Sequence, residues 1–170
     1  MAEFPANSTR FDPYKNGRFL LYLGAGTTPV PAVRSVSGLA WNTAVISSRE
    51  DGAANNFRLG PGNTSFEPVI ITRGLTQDRA FEEWASEVFS IVNGNPTGPS
   101  LKNLRRDIRI NVLNEEGQPV MGYLLHQCWP SSYVPIGPLD ANNPSVLIES
   151  MTLQYESFER DIQVVEIPET

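Results

Sequence analysis

One stretch, Glu67–Val92 (EPVIITRGLTQDRAFEEWASEVFSIV), limits the folds open to this chain more than any other. Val69, Ile70, Ile71 and Thr72 are β-branched and read as a strand. Pro68 cannot donate to a ladder, so it suits only a strand's start or an edge. Gly74 punctuates. Thr76 then stands where a helix N-cap belongs, with Asp78 in the first turn facing the positive end of the helix dipole. Phe81, Trp84, Ala85 and Val88 recur at helical spacing with Glu82, Glu83 and Glu87 among them, which predicts a helix over about 76–92. Gly94 closes the pattern. The rest of the chain reads as strand or loop, so this helix has to be packed by strands.

Those strands follow from the two-residue period. Arg18–Leu23 is the first, with Phe19, Leu21 and Leu23 on one face, and Val30–Ser37 returns after a Gly-rich turn. Asn42–Arg49 extends to the Asp-Gly turn at Asp51-Gly52, which suits a tight hairpin. Ala53–Leu59 is weakly β, and Gly60-Pro61-Gly62-Asn63 punctuates. Arg106–Leu113 and Val120–Trp129 form a hairpin around residues 114–118. Both faces of the return strand are fairly apolar, so it is expected to be covered on both sides. Pro130–Pro144 reads as a long loop. Val146–Phe158 is the last strand, with Met151, Leu153 and Tyr155 facing one way and Ser150, Thr152, Gln154 and Glu156 facing water. Consecutive hairpins are expected for 18–37, 39–59 and 106–129. The fold class is mainly β: a small antiparallel β-barrel or sandwich, one flanking α-helix at about 76–92, and an extended β-arm at about 43–59. It fits one domain over 1–170, with 1–17 as an N-terminal arm, 18–158 as the barrel and 159–170 as a tail.

Composition excludes several functions. No apolar run approaches the about 18 residues of a membrane span. Residues 1–10 (MAEFPANSTR) lack the basic start and apolar stretch of a secretory signal, so a cytoplasmic site of synthesis and assembly is expected. The single cysteine, Cys128, permits no internal disulfide framework. A net charge of −6 argues against a general nucleic-acid-binding surface.

Catalytic and metal signals are equally sparse. His126 is the only histidine. With Cys128 it stands two residues along a strand on one face, half of a metal site or of a thiol–imidazole pair. No further ligand is in view, and a packed strand accounts for both. Gly24-Ala25-Gly26 lacks the Lys-Ser/Thr of a phosphate loop and reads as a turn. No catalytic residue, cofactor or metal is expected. Trp41 or Trp129 could line a small-ligand cavity in a closed barrel, which is the alternative reading. The arm is the feature that a monomer explains least. Val45 and Ile46 sit in a hairpin with little else to bury, so it is either a flexible loop or a segment ordered by a neighbouring chain.

A series of short motifs then stands in a known order. Asp12-Pro13-Tyr14-Lys15-Asn16 and Arg18-Phe19 open it, followed by Val36-Ser37-Gly38-Leu39 and Ser48-Arg49-Glu50-Asp51-Gly52. Pro61-Gly62 precedes Ile70–Leu75, and Phe81-Glu82-Glu83-Trp84 marks the helix. Arg106-Asp107-Ile108, Asn114-Glu115-Glu116-Gly117, Cys128-Trp129-Pro130, Leu139-Asp140-Ala141-Asn142 and Ile148-Glu149 complete it. Over Asp12–Asp161 the chain resembles the tail-tube proteins of contractile phage tails and the inner-tube proteins of phage-tail-like contractile injection systems. It departs from them in the inserted Asp51 and in a Gly- and Pro-rich loop at 94–99.

The resemblance implies a structural, non-enzymatic subunit. Copies would join their sheets into rings of six, and rings would stack into a hollow tube inside a contractile sheath. Its partners would be itself, the sheath protein, baseplate or tube-initiator and terminator proteins, and the cargo protein or DNA in the lumen. The particle would act as a virion tail or an injection device outside the cell. Self-assembly contacts are expected from the arm, Arg49, Glu50, Asp51, Gly52, Phe57 and Arg58, and from an exposed surface at Arg73, Asp78 and Arg79. The polar row at 150–156 would line the lumen, with acidic side chains there keeping an anionic cargo from adhering.

Overall fold

A computed structural model describes residues 7, 12–48, 58–92, 104–142 and 144–168. Nine strands and one helix follow in the order β1 (Phe19–Leu23), β2 (Val33–Val36), β3 (Trp41–Ser48), β4 (Arg58–Phe66), β5 (Val69–Gly74), α1 (Ala80–Val92), β6 (Arg106–Leu113), β7 (Pro119–Val134), β8 (Ile148–Gln154) and β9 (Ser157–Asp161). The mainly-β class with one flanking helix is as expected. The strands form an open path, β1-β6-β7-β8-β5-β2, with β9 on β7 and with β3–β4 as a separate hairpin. This is a sandwich-like arrangement and not a closed barrel.

The sixteen-residue β7 organises the whole. Its first half pairs with β6 on one side and β9 on the other; its second half pairs with β8. Because β8 and β9 run consecutively along the same side of β7, the chain bends from one sheet into the next without a break. The bend has a cause in the backbone. Between Arg106↔Cys128 and Ile108↔Leu125, β7 carries an extra residue, and Gln127 adopts φ 56° there. Such a bulge kinks a strand and increases its twist. The Gln127 amide, removed from the ladder, donates instead to Asp107 Oδ1 at 2.9 Å.

The core lies inside this bend. Leu21, Val69, Ile71, Ile108, Ile110, Leu125, Cys128, Met151 and Leu153 are buried there, and Phe81 and Trp84 enter it from α1. The predicted helical face is therefore the packed one. Buried Trp84 donates from Nε1 to the Leu104 carbonyl at 2.8 Å, so its polar atom is satisfied. The second face of β7 is covered where Gly122 meets the C-terminal segment: an added Cβ would lie 3.0 Å from Val164 Cγ2 and from the Asp161 Cβ.

Several expectations are corrected. The 18–37 hairpin does not form, because β1 pairs with β6 and β2 with β5. In each case a long apolar strand from later in the chain takes the place of the sequence neighbour. The Gly60–Asn63 stretch is strand, lying within β4 and absorbing a register shift opposite Thr43–Val45. Strand β7 continues through Pro130 to Val134. Pro130 is tolerated because β7 has become an edge strand there and its register shifts between Pro130 and Ser132. The helix starts at Ala80, and its cap is Asp78, whose Oδ1 accepts from the Ala80 amide at 3.0 Å. Thr76 Oγ1 instead accepts from the Asp78 amide at 3.2 Å, forming the turn that precedes the cap.

Candidate assembly surfaces

The sheet β7–β8–β5–β2 has two unlike faces, as the period of two requires. Val69, Ile71 and Arg73 of β5 and Glu149, Met151 and Leu153 of β8 turn inward and are buried. Ile70, Thr72, Ser150, Thr152 and Gln154 turn outward. Ser35 on β2 joins that outer row, its hydroxyl 2.5 Å from that of Thr72. The alternation read from the sequence at 150–156 is therefore present. Its one carboxylate, Glu156, forms an ion pair with Arg105, so the outer row is one of hydroxyls and amides rather than of acids.

Both ends of this sheet are open. Among the described residues β2 pairs only with β5, and the second half of β7 pairs only with β8. Beside that free stretch of β7, a groove of about 410 Å³ runs between Ala85, Val88 and Phe89 of α1 and Pro130–Tyr133. A second opening, about 750 Å³, lies at the seam that the unclosed sheet leaves between β1 and β2. Phe19, Val36, Leu39, Trp41, Ile110 and Phe158 help to line it. Trp129 does not line it, so only one of the two tryptophans proposed for a ligand cavity is there.

Arg73 is the main correction among the sequence-derived contact residues. It is not part of an exposed surface: its side chain is wholly buried in the subunit. Its guanidinium pairs with Glu149, itself 2% exposed, and lies 3.0 Å from Asp78 Oδ2. It also sits over the Phe81 ring at 4.1 Å from the centroid and donates to the Asp78 carbonyl at 2.6 Å. Tyr133 donates to the other Glu149 oxygen at 2.8 Å. The network thus joins β5, β8, β7 and the start of α1, with a hydrogen-bond partner for each buried charge. Burial first, and then the Glu149 carboxylate, push the Tyr133 hydroxyl up to about 12. The Ala80 amide, with help from Arg73, holds the Asp78 carboxyl below its ordinary value.

Asp78 is half-buried and Arg79 exposed, the latter paired with Glu82 at 3.2 Å. Arg58 opens β4 opposite Ser48 and is exposed. Arg49, Glu50, Asp51, Gly52 and Phe57 lie outside the described residues. Glu149 enters the sequence reading only as part of the Ile148-Glu149 motif, and Tyr133 not at all. The signal existed: Glu149 shares its strand face with Met151 and Leu153, as Arg73 shares its own with Val69 and Ile71.

The hairpin β3–β4 carries apolar side chains that nothing covers among the described residues. Val45, Ile46 and Leu59 are 69%, 57% and 72% exposed, values that a side chain packed in its own subunit would not have. At its root Trp41 packs on the Phe158 ring at 5.3 Å. A catalytic reading gains nothing from the geometry. The Gln127 bulge separates His126 and Cys128, contrary to their placement on one face. Cys128 is buried in the core, while His126 stays half-buried beside Glu159 at 3.2 Å. Burial, with the nearby Asp107, pushes the Cys128 thiol up to about 12, which suits an inert core residue. Among the described residues no group of three or more His, Cys, Asp or Glu is placed to hold a metal ion.

The family model of the T4-like virus tail tube protein gp19 matches residues 16–159. The chain belongs to this tail tube family. Solved structures agree at the level of the fold. A chain of the anti-feeding prophage baseplate matches with TM-score 0.69 and 21% identity over 89% of this chain and 97% of that one. A chain of the PVC sheath–tube complex in its extended state gives 0.68 and 20% over 88% and 91%. One from the anti-feeding prophage tube-terminating cap gives 0.70 and 22% over 90% and 93%. No curated protein matches the chain by sequence. The tail tube protein thus shares its family with a phage tail component and its fold with chains from phage-tail-like particles. No helix among its described residues is long and apolar enough to cross a membrane.

Proposed function

We propose that this tail tube protein is a non-catalytic inner-tube subunit whose copies close into rings, six to a ring, that stack into a hollow tube. The observation that carries the reading is the β7–β8–β5–β2 sheet, polar outside, apolar inside and open at both ends. Free strand edges invite pairing and are a hazard unless something covers them. The two edges differ, so joining β2 of one copy to the second half of β7 in the next is a heterologous contact, which generates a ring when the rotation closes. Val33 and Val36 of the incoming β2 would then face the groove beneath α1. The polar row would line the lumen, and the uncovered hairpin β3–β4 would reach a neighbouring ring or subunit, with Arg49, Glu50, Asp51, Gly52, Phe57 and Arg58 at or near its tip. Arg79 and Asp78, at the start of α1, remain available to a partner; Arg73 acts there only by holding them in place.

The similar structures come from a sheath–tube complex, a baseplate symmetrised six-fold and a tube-terminating cap. By that likeness the proposed partners are a surrounding sheath, baseplate or initiator and terminator proteins, and a cargo protein or DNA in the lumen. Assembly would take place in the bacterial cytoplasm, within a virion tail or an injection particle. Negative-stain microscopy of the purified protein tests this: rings or tubes are expected, and featureless monomers at every concentration would refute it. Deleting residues 50–58 should leave a folded subunit that no longer stacks. Normal tubes from that deletion, seen by sedimentation, would remove the hairpin from the stacking role.

A further inference from the structure

The outer row of the β7–β8–β5–β2 sheet bears on what can travel past it. In a chain with 19 acidic and 13 basic residues, these strands turn no carboxylate outward. Glu149 points into the core, and Glu156, beyond the end of β8, is paired with Arg105. What faces out is Ser35, Thr72, Ser132, Ser150, Thr152 and Gln154, two partly exposed apolar side chains, Ile70 and Val134, and one charge, Arg34. Arg34 is there because β2 shifts register between Val33 and Ser35. The bulge places Arg34 beside Ser35, both opposite Thr72 and both exposed. No ion-pair partner faces it among the described residues.

A surface of this kind treats two polymers differently. Duplex DNA carries one negative charge per about 1.7 Å of its axis, so a phosphate is always within reach of an unpaired guanidinium. Each such contact releases counterions and favours retention, and no neighbouring carboxylate opposes it. A polypeptide offers no regular row of charges. Against a face made mostly of hydroxyls and amides, with only Ile70 and Val134 as scattered apolar groups, it exchanges one set of hydrogen bonds for another at small net gain.

Resting on the tube reading above, we infer that this face passes polypeptide cargo and holds duplex DNA rather than letting it run, with Arg34 as the group that holds it. The test uses assembled tubes, checked by microscopy, a short fluorescent DNA duplex with nuclease added outside, and a fluorescent uncharged polypeptide. Wild-type tubes should retain nuclease-protected duplex at low salt and release it as salt rises. Arg34→Gln should lower that retention on the order of tenfold. Because Arg34 lies on an edge strand, a second variant, Thr152→Glu, places a carboxylate on central β8. It should also expel the duplex. The polypeptide should enter and wash out alike in all three. Wild-type tubes that exclude DNA at low salt, or variants that retain it as the wild type does, would overturn this inference alone. Absence of tubes would overturn the assembly reading and this inference with it.

Discussion

Replacing Arg73 by alanine isolates what holds α1 to the sheets. The substitution removes a fully buried guanidinium and strands the Glu149 carboxylate, 2% exposed, with Tyr133 as its remaining partner. Breaking one side of a buried pair costs about 3–5 kcal/mol, mostly because the surviving charge is left without compensation. The contact with the Phe81 face and the hydrogen bond to the Asp78 carbonyl are lost as well. In a chain of this size that corresponds to a fall in Tm of roughly 10 °C. If the stranded charge dominates, removing it should restore most of the loss. The double variant Arg73→Met, Glu149→Leu should therefore recover to within about 1–2 kcal/mol of the wild type, because apolar residues of similar volume replace buried ion pairs at little cost. Denaturant unfolding of the unassembled subunit, carried out on the wild type, Arg73→Ala, Arg73→Met, Glu149→Leu and the double variant, measures this. A single-variant loss under about 1 kcal/mol, or a double variant no better than Arg73→Ala, would refute the account.

Other consequences are as direct. Asp78→Ala should cost about 1 kcal/mol by removing the cap on α1. Because the folded-state Asp78 carboxyl is depressed, its contribution is present above the ordinary carboxylate range and fades as pH falls through the lower, folded value; the wild-type advantage over the variant should shrink in acid titrations followed by circular dichroism. Cys128 should resist thiol reagents near neutral pH in the folded subunit and react at the unfolding midpoint; rapid labelling of the native subunit would contradict its placement in the core. Gly122→Ala should destabilise by about 1–3 kcal/mol, since its Cβ would press on Asp161 and Val164, and a neutral result in thermal melts would mean that the C-terminal segment yields.

The sequence exposed the local signals well and the long-range ones poorly, for physical reasons. Phe81, Trp84 and Val88 announce a helix face because the period of 3.6 is local, and the row from Ser150 to Gln154 announces a strand face because the period of two is local. Pairing is not local. The turn after β1 suggested a hairpin with β2, but Ile108, Ile110 and Val112 on β6 offer Leu21 and its neighbours a better apolar face. The Gln127 bulge was illegible because a left-handed residue that is not glycine leaves no compositional mark, and it alone decides that His126 and Cys128 part company. Arg73 differs for another reason: charge suggests exposure, although its own strand parity places it with Val69 and Ile71. The buried ion pair was therefore present in the pattern, and a period of two applied without regard to charge would have located both partners.

The bent β7 has a mechanical consequence. Two sheets that merely pack can slide or peel apart when loaded, with side-chain contacts giving way one by one. Here the load crosses from one sheet to the other along the covalent backbone of a single strand, about 50 Å long if fully extended. The weak direction is then shear of whole ladders, in which many hydrogen bonds share the force together. A subunit built this way resists stepwise yielding, a useful property in any part that is pushed rather than pulled.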